Sequence, residues 1–149
     1  MEIPSKKKVL ILCTGNSARS QTAEGLVNHY FAEELEAHSA GTDPQGLNHY
    51  AAHVMAELGI DISKATPKHV SNFAGQVFDY VITLCDDANT NCPIFPGAGK
   101  RLHMGFRDPA RATGGEDQIL AVFRDVRDEI LCRISKYFRK ELKPNGKKA

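Results

Sequence analysis

The run Val9-Leu10-Ile11-Leu12 is apolar at every position and stops abruptly at Cys13-Thr14-Gly15-Asn16-Ser17. A strand with one wet face alternates apolar and polar residues, so an unbroken run marks a strand buried on both faces. A helical pattern follows over residues 18–36, so the five residues from Cys13 to Ser17 form a tight connection at the strand's carboxyl end. Phe78-Asp79-Tyr80-Val81-Ile82-Thr83-Leu84 reads as a second buried strand, with shorter ones near residues 37–40, closed by Gly41, and 101–104. Helices are expected over 50–58, stopped by Gly59, and over 68–75, while residues 93–99 read as one loop. In the last helix Thr113-x-x-Glu116 reads as a capping box, and apolar residues recur at Ile119, Leu120, Phe123, Val126, Ile130, Ile134 and Phe138. Glu116 and Asp117 lie early in it, with Arg133, Lys136, Arg139 and Lys140 late, as the helix dipole prefers. Alternating strands and helices predict an α/β fold with a parallel sheet covered on both faces and a site built at the carboxyl ends of the strands.

At 149 residues, residues 1–149 form one domain, with an ordered core over 8–139, frayed residues 1–7 and a basic tail over 143–149. Lys plus Arg (19) nearly balance Asp plus Glu (18), which excludes the strong basic field of a non-specific nucleic-acid binder. No apolar stretch is long enough to span a bilayer, and the first apolar run is too short for a signal peptide, so no membrane partner and a cytoplasmic location are expected. Net charge near zero and no obvious apolar patch point to a monomer. Four cysteines in a reducing compartment are catalytic, redox-active or buried rather than structural staples.

Cys13 and Arg19 stand six positions apart. The backbone N–H groups of a tight loop and of a helix's first turn, here from Thr14, Gly15, Asn16, Ser17, Ala18 and Arg19, converge on one point and bind a tetrahedral oxyanion. Gly15 permits a backbone angle that other residues resist. Arg19 forks onto two oxygens of the anion, the same field stabilises a Cys13 thiolate, and the Ser20 hydroxyl is placed to hydrogen-bond that sulfur. The bland alternative is a small buried cysteine at a strand end, a helix cap at Ser17 and a solvated Arg19. A G-x-x-x-x-G-K pattern is absent, which speaks against nucleotide hydrolysis.

Cys85 ends the second clear strand, at the same sheet edge as Cys13, and Cys92 follows seven residues later. They are either unrelated thiols, part of a metal site, or a redox pair. Zinc sites want closer pairs with further ligands, and no such pair or spaced histidine pair is present. Three thiols near one anion loop suit a two-electron reduction. Asp108-Pro109 is either a plain turn initiator or the source of an acid facing the loop. Cys132 reads as a buried core thiol on the last helix, and the six histidines as surface or core residues.

Cys13-Thr14-Gly15-Asn16-Ser17-Ala18-Arg19-Ser20 resembles the signature of the low-molecular-weight protein tyrosine phosphatase fold, and the resemblance extends over about residues 8–138. Thr83-Leu84-Cys85-Asp86-Asp87-Ala88-Asn89-Thr90-Asn91-Cys92-Pro93 looks like the redox segment of its thioredoxin-coupled arsenate reductase branch. The resemblance implies a single-domain three-layer sandwich with a four-stranded parallel sheet in order 2-1-3-4. It implies a relay in which Cys13 attacks arsenate, Cys85 attacks Cys13, and Cys92 resolves the disulfide for thioredoxin to reduce. It implies that Asp108 protonates the leaving oxygen. Phosphatases of this fold carry tyrosines just after that Asp-Pro, whereas this chain has Ala110 and Arg111, which suits a small oxyanion such as arsenate or phosphate. The alternatives are a phosphatase working through a Cys13 phosphocysteine, with Cys13, Arg19 and Asp108 sufficient for small esters, and a non-catalytic oxyanion binder. No tightly bound organic cofactor is implied. Some members bind potassium beside the loop. Asn16, Glu24 and Ser39 match ligands there, but Lys68 replaces an aspartate and its ammonium can stand in for the cation.

Were residues 86–91 helical, the Cys85 and Cys92 Cα atoms would be roughly 10 Å apart, against the 4.4–6.8 Å, roughly, of a disulfide. The relay therefore requires this segment to change shape. Amide exchange across residues 85–97 is expected to differ between reduced and oxidised protein; identical protection in the two would exclude the change.

Overall fold

In the computed structural model, which describes residues 6–84 and 95–142, four strands make one parallel sheet in order β2-β1-β3-β4. The elements run β1 (Lys7–Cys13), α1 (Arg19–Tyr30), β2 (Leu35–Gly41), α2 (His49–Ala56), a one-turn 3-10 helix (Val70–Phe73), β3 (Phe78–Thr83), β4 (Ala98–His103), a second 3-10 turn (Pro109–Arg111) and α3 (Glu116–Glu141). Order and class agree with the expected fold. Among the described residues no helix is long and apolar enough to cross a membrane.

The unbroken apolar run of β1 is explained by what covers it. Val9 and Ile11 join the cluster made with Ala23, Leu26 and Val27 of α1 and Val126, Ile130, Ile134 and Phe138 of α3. Leu10 and Leu12 face the other way, onto Phe73, Phe78, Val81 and Phe95. Phe78 is met edge-on by Phe73 at 5.7 Å and by Phe95 at 5.6 Å. Such offset aromatic pairs add about 0.5–1.5 kcal/mol each beyond area burial.

The register brings three strand ends to one edge. Cys13 stands opposite Gly41, Leu12 opposite Thr83, and the Leu84 N–H donates to the Leu12 carbonyl at 2.9 Å. The carboxyl ends of β1, β2 and β3 thus share the floor of the site.

Several boundaries differ from expectation. The first helix stops at Tyr30, because the N–H groups of Glu34 and Leu35 both turn back to the Phe31 carbonyl and reverse the chain. Lys7 belongs to β1 rather than to a frayed end. The helix expected over 68–75 shrinks to one 3-10 turn, ended before Gly75 at φ +83°. Ala98 and Gly99 are strand rather than loop; β4 is an exposed edge strand, so its residues lack an apolar pattern. Thr113 is not a cap: Gly114 turns at φ +109°, α3 starts after Gly115, and the Gly115 N–H donates to Gln118 Oε1 at 2.8 Å. Cys132 is exposed, not buried. It lies two residues from Ile130 and from Ile134, about 200° around the helix from each, which turns it away from the buried stripe.

Helices α2 and α3 are pinned by a charge cluster. Arg127 Nη1 donates to the Val54 carbonyl at 2.8 Å and to Glu57 Oε1 at 2.9 Å, while Arg124 Nη2 donates to Glu57 Oε2 at 2.7 Å. The Arg124 hydrogen bond, helped by Arg127, holds the Glu57 carboxyl at about 2, well below the usual carboxylate range. A depressed folded-state pKa contributes stability above the unfolded value and loses it as pH falls toward the folded one. Glu57→Gln is therefore expected to cost about 1.5–3 kcal/mol at neutral pH. In urea melts the deficit should shrink as pH drops from the ordinary carboxylate range toward 2.

Candidate active site

Residues 14–18 link β1 to α1 and wrap around a pocket of about 350 Å³. Helix α1 begins at Ala18 with no side-chain cap and no acidic residue in its first turn. Ser17 is thus not a cap, which removes the bland reading of this loop. A helix start without a side-chain acceptor keeps its N–H groups for an external anion. The unusual backbone angle falls on Asn16, at φ +49°, and not on Gly15 as expected. Asparagine tolerates the left-handed region better than most side chains. Here its fully buried amide also holds it there.

The loop's carbonyls are turned outward and tied down. Asp43 N–H donates to the Thr14 carbonyl at 2.9 Å, Gln45 N–H to that of Gly15 at 2.8 Å, and Asn48 N–H to that of Ser17 at 3.0 Å. A peptide whose C=O points out points its N–H the other way, so the segment after β2 sets the direction of the cradle. Sequence reasoning missed Asp43, Gln45 and Asn48. The visible signal was the Thr42-Asp43-Pro44-Gln45 turn composition directly after Gly41, at the carboxyl edge where a site is expected. Gly41 itself is required by close approach: a Cβ there would lie 2.3 Å from the Thr14 carbonyl oxygen and 2.9 Å from that of Cys13.

Cys13 is buried at the pocket floor, where β1 ends. Arg19 Nη1 donates to the Phe106 carbonyl at 3.0 Å, and Nη2 lies 3.8 Å from Asp108 Oδ2. Asp108 initiates the turn and also faces the loop. Its Oδ1 accepts the Ala110 N–H at 3.0 Å, capping the turn Pro109–Arg111, while its other oxygen faces Arg19 across the pocket. Asp43, Gln45, Asp108 and Ala110 form the walls, and among the described residues no aromatic ring lines the pocket.

A strand ending in a cysteine, a loop with its carbonyls tied outward and an arginine facing an aspartate lie within residues 8–148, which the model of one family matches, described as low molecular weight phosphotyrosine protein phosphatase. The chain belongs to that family. It is 48% identical over 133 residues to an arsenate reductase of Shouchella clausii, covering 89% of this chain and 96% of the relative. Among solved structures it resembles an arsenate reductase in the phosphate binding state (TM-score 0.77, 32% identity, 90% of this chain and 98% of that one). It also resembles a thioredoxin-dependent arsenate reductase of Corynebacterium glutamicum (TM-score 0.66, 28% identity, 91% of this chain and 63% of that one).

Of the residues the family resemblance singled out, Cys13 to Arg19 and Asp108 share one pocket. Ser20 is buried beneath it and accepts from Asn16 Nδ2 at 2.8 Å. Cys85 and Cys92 lie outside the described residues. The chain enters Cys85 from Leu84, one residue beyond the position that the register sets opposite Cys13.

Asn16, Glu24 and Ser39 are brought together, but as a network satisfied within the protein. Asn16 Nδ2 donates to Ser39 Oγ at 2.9 Å, and Ser39 Oγ donates to Glu24 Oε1 at 2.5 Å. The Asn16 amide oxygen already accepts from Gln21 Nε2 at 3.1 Å and from the Lys68 N–H at 2.8 Å. The Lys68 ammonium donates to the Thr66 carbonyl at 3.2 Å. In this arrangement the oxygens a potassium ion needs are engaged, and the residues present do not fit one. Gly41→Ala is expected to force the Thr14 peptide aside and, since a displacement of about 1 Å can cost 10²-fold, to cut oxyanion turnover about a hundredfold. Phosphate titration should show weakened binding while far-ultraviolet circular dichroism stays native.

Proposed function

We propose that this protein is an arsenate reductase of the cytoplasm that uses three thiols and takes its electrons from thioredoxin. The observation that carries the reading is the register of β1 and β3. Neighbouring strands lie about 4.8 Å apart, and the Leu84 N–H donates to the Leu12 carbonyl, so β3 ends beside the end of β1 that runs into Cys13, and Cys85 is the next residue in the sequence. A thiol next in sequence to that strand end suits attack on a Cys13 adduct and has no task in simple hydrolysis.

The loop N–H groups and Arg19 bind arsenate and neutralise its charge. The Cys13 thiolate attacks arsenic, and an oxygen leaves as water with a proton from Asp108, giving a sulfur–arsenic bond with arsenic still pentavalent. The Ser20 hydroxyl, whose oxygen is occupied as acceptor by Asn16, supplies its proton to steady the Cys13 sulfur. The Cys85 thiolate then attacks Cys13 Sγ. The sulfur–arsenic bond breaks, its electron pair stays on arsenic, and arsenite departs from a Cys13–Cys85 disulfide. Cys92 attacks Cys85, frees the Cys13 thiolate and leaves a Cys85–Cys92 disulfide that thioredoxin reduces. Such chemistry needs thiols kept reduced between turnovers, as in the cytoplasm.

Residual hydrolysis of small phosphate esters is supported by Cys13, Arg19 and Asp108 alone. The pocket's lack of an aromatic wall argues against a phosphotyrosine substrate. In an assay coupling arsenate to NADPH oxidation through thioredoxin and its reductase, Cys85→Ser and Cys92→Ser are expected to abolish turnover and keep p-nitrophenyl phosphate cleavage; Cys13→Ser should abolish both. Full arsenate turnover by Cys92→Ser would refute the relay.

A further inference from the structure

Val77 is 72% exposed, a branched apolar side chain directly before β3. It borders an open groove of about 420 Å³ whose other apolar walls are Val70, Ala74, Phe95 and Pro96, and among the described residues no charged side chain lines it. In a chain that is 25% charged this is an unusual piece of surface. The groove is built in. Phe95 is buried against Phe78, the Phe78 N–H donates to the Gly97 carbonyl at 2.8 Å, and a Cβ on Gly97 would lie 2.2 Å from the Gln76 carbonyl oxygen. Its place is the opening end of β3 and β4, the opposite end of the parallel sheet from Cys13. An uncharged apolar groove offers nothing to an oxyanion. It has the composition of the centre of a protein interface.

Chain length identifies the occupant. Phe95 is three residues from Cys92, and three extended residues span at most about 11 Å. A protein that reduces a disulfide at Cys92 must bring its own sulfur onto that atom. Even a weak redox encounter covers about 600 Å² on each partner, a disc of about 14 Å radius. A groove wall tethered within about 11 Å falls inside that footprint.

We propose that the groove between Val77 and Phe95 is the docking surface for thioredoxin, received through an uncharged apolar rim around its dithiol. This rests on the three-thiol reading above. One reductant thiolate attacks Cys92 Sγ, the Cys85–Cys92 bond breaks with its electron pair on Cys85, and a mixed disulfide forms. The second reductant thiol attacks its own partner sulfur and releases the Cys92 thiolate. The reductant ends as a disulfide, having given two electrons, and this chain recovers both thiols.

The test uses Val77→Glu and, as a second exposed position, Ala74→Glu, each checked for a wild-type melting temperature. Pre-reduced protein given arsenate without thioredoxin should release one arsenite per chain, in wild type and variants alike; no release from the wild type would sink the relay itself, independently of docking. In the coupled assay both variants should raise the KM for thioredoxin about tenfold or more, the effect of losing about 1.4 kcal/mol, while the KM for arsenate and turnover driven by dithiothreitol stay unchanged. An unchanged KM for thioredoxin in a folded variant overturns the proposal. So does sedimentation showing that the groove pairs two copies of this chain, with Val77→Glu separating them and thioredoxin kinetics unaltered.

Discussion

The site depends on the direction in which a few peptide groups face. Three carbonyls of the loop after β1 are held by the N–H groups of Asp43, Gln45 and Asn48, which turns the N–H of each of those peptides the other way. That arrangement is possible because β2 ends in a residue without a Cβ, so its chain runs against the Thr14 peptide. It is held from below by Asn16, whose buried amide bonds to Ser20, Ser39, Gln21 and Lys68 at once. The left-handed turn at Asn16 costs of order 1–3 kcal/mol and persists because these bonds over-determine it. Backbone dipoles fixed in this way need no rearrangement when charge arrives, the condition under which they act most strongly.

The parallel sheet then sorts the chemistry by position. Its carboxyl edge carries the charged machinery: the Cys13 sulfur, the Arg19 guanidinium and the Asp108 carboxylate on the turn before α3. Its opposite edge, beside Phe78, carries a groove that among the described residues is lined by no charged side chain. The two ends of β3 thus offer surfaces of unlike chemistry.

Much of this was legible from residues. The apolar run of β1, the short polar loop and the following helix located the pocket at the end of β1, because an interior strand followed by a tight polar turn has few alternative spellings. The α3 stripe was legible for the same reason: Leu120, Phe123, Val126, Ile130, Ile134 and Phe138 are all buried. Local composition misled where tertiary contacts decide. Gly15 looked like the strained residue, yet the strain sits on Asn16, where a long-range network outweighs intrinsic preference. Gly41 looked like a strand terminator and is a steric necessity. Thr113 has the right spacing for a cap, but Gly114 bends the chain first. β4 carries little pattern because an edge strand of this kind has few buried positions. The groove near Val77 is assembled from residues about twenty apart, so no short window displays it.

The bare start of α1 has a further consequence. With no side chain to complete its first turn, the helix would be finished by a tetrahedral dianion bound in the pocket, and stability would then rise with that ion's concentration as for any ligand that prefers the native state. Inorganic phosphate has the same shape and charge as arsenate and serves equally as this borrowed cap. The cradle therefore cannot tell the two apart by recognition. Discrimination falls to reactivity, since arsenic accepts an electron pair from a breaking sulfur bond far more readily than phosphorus does.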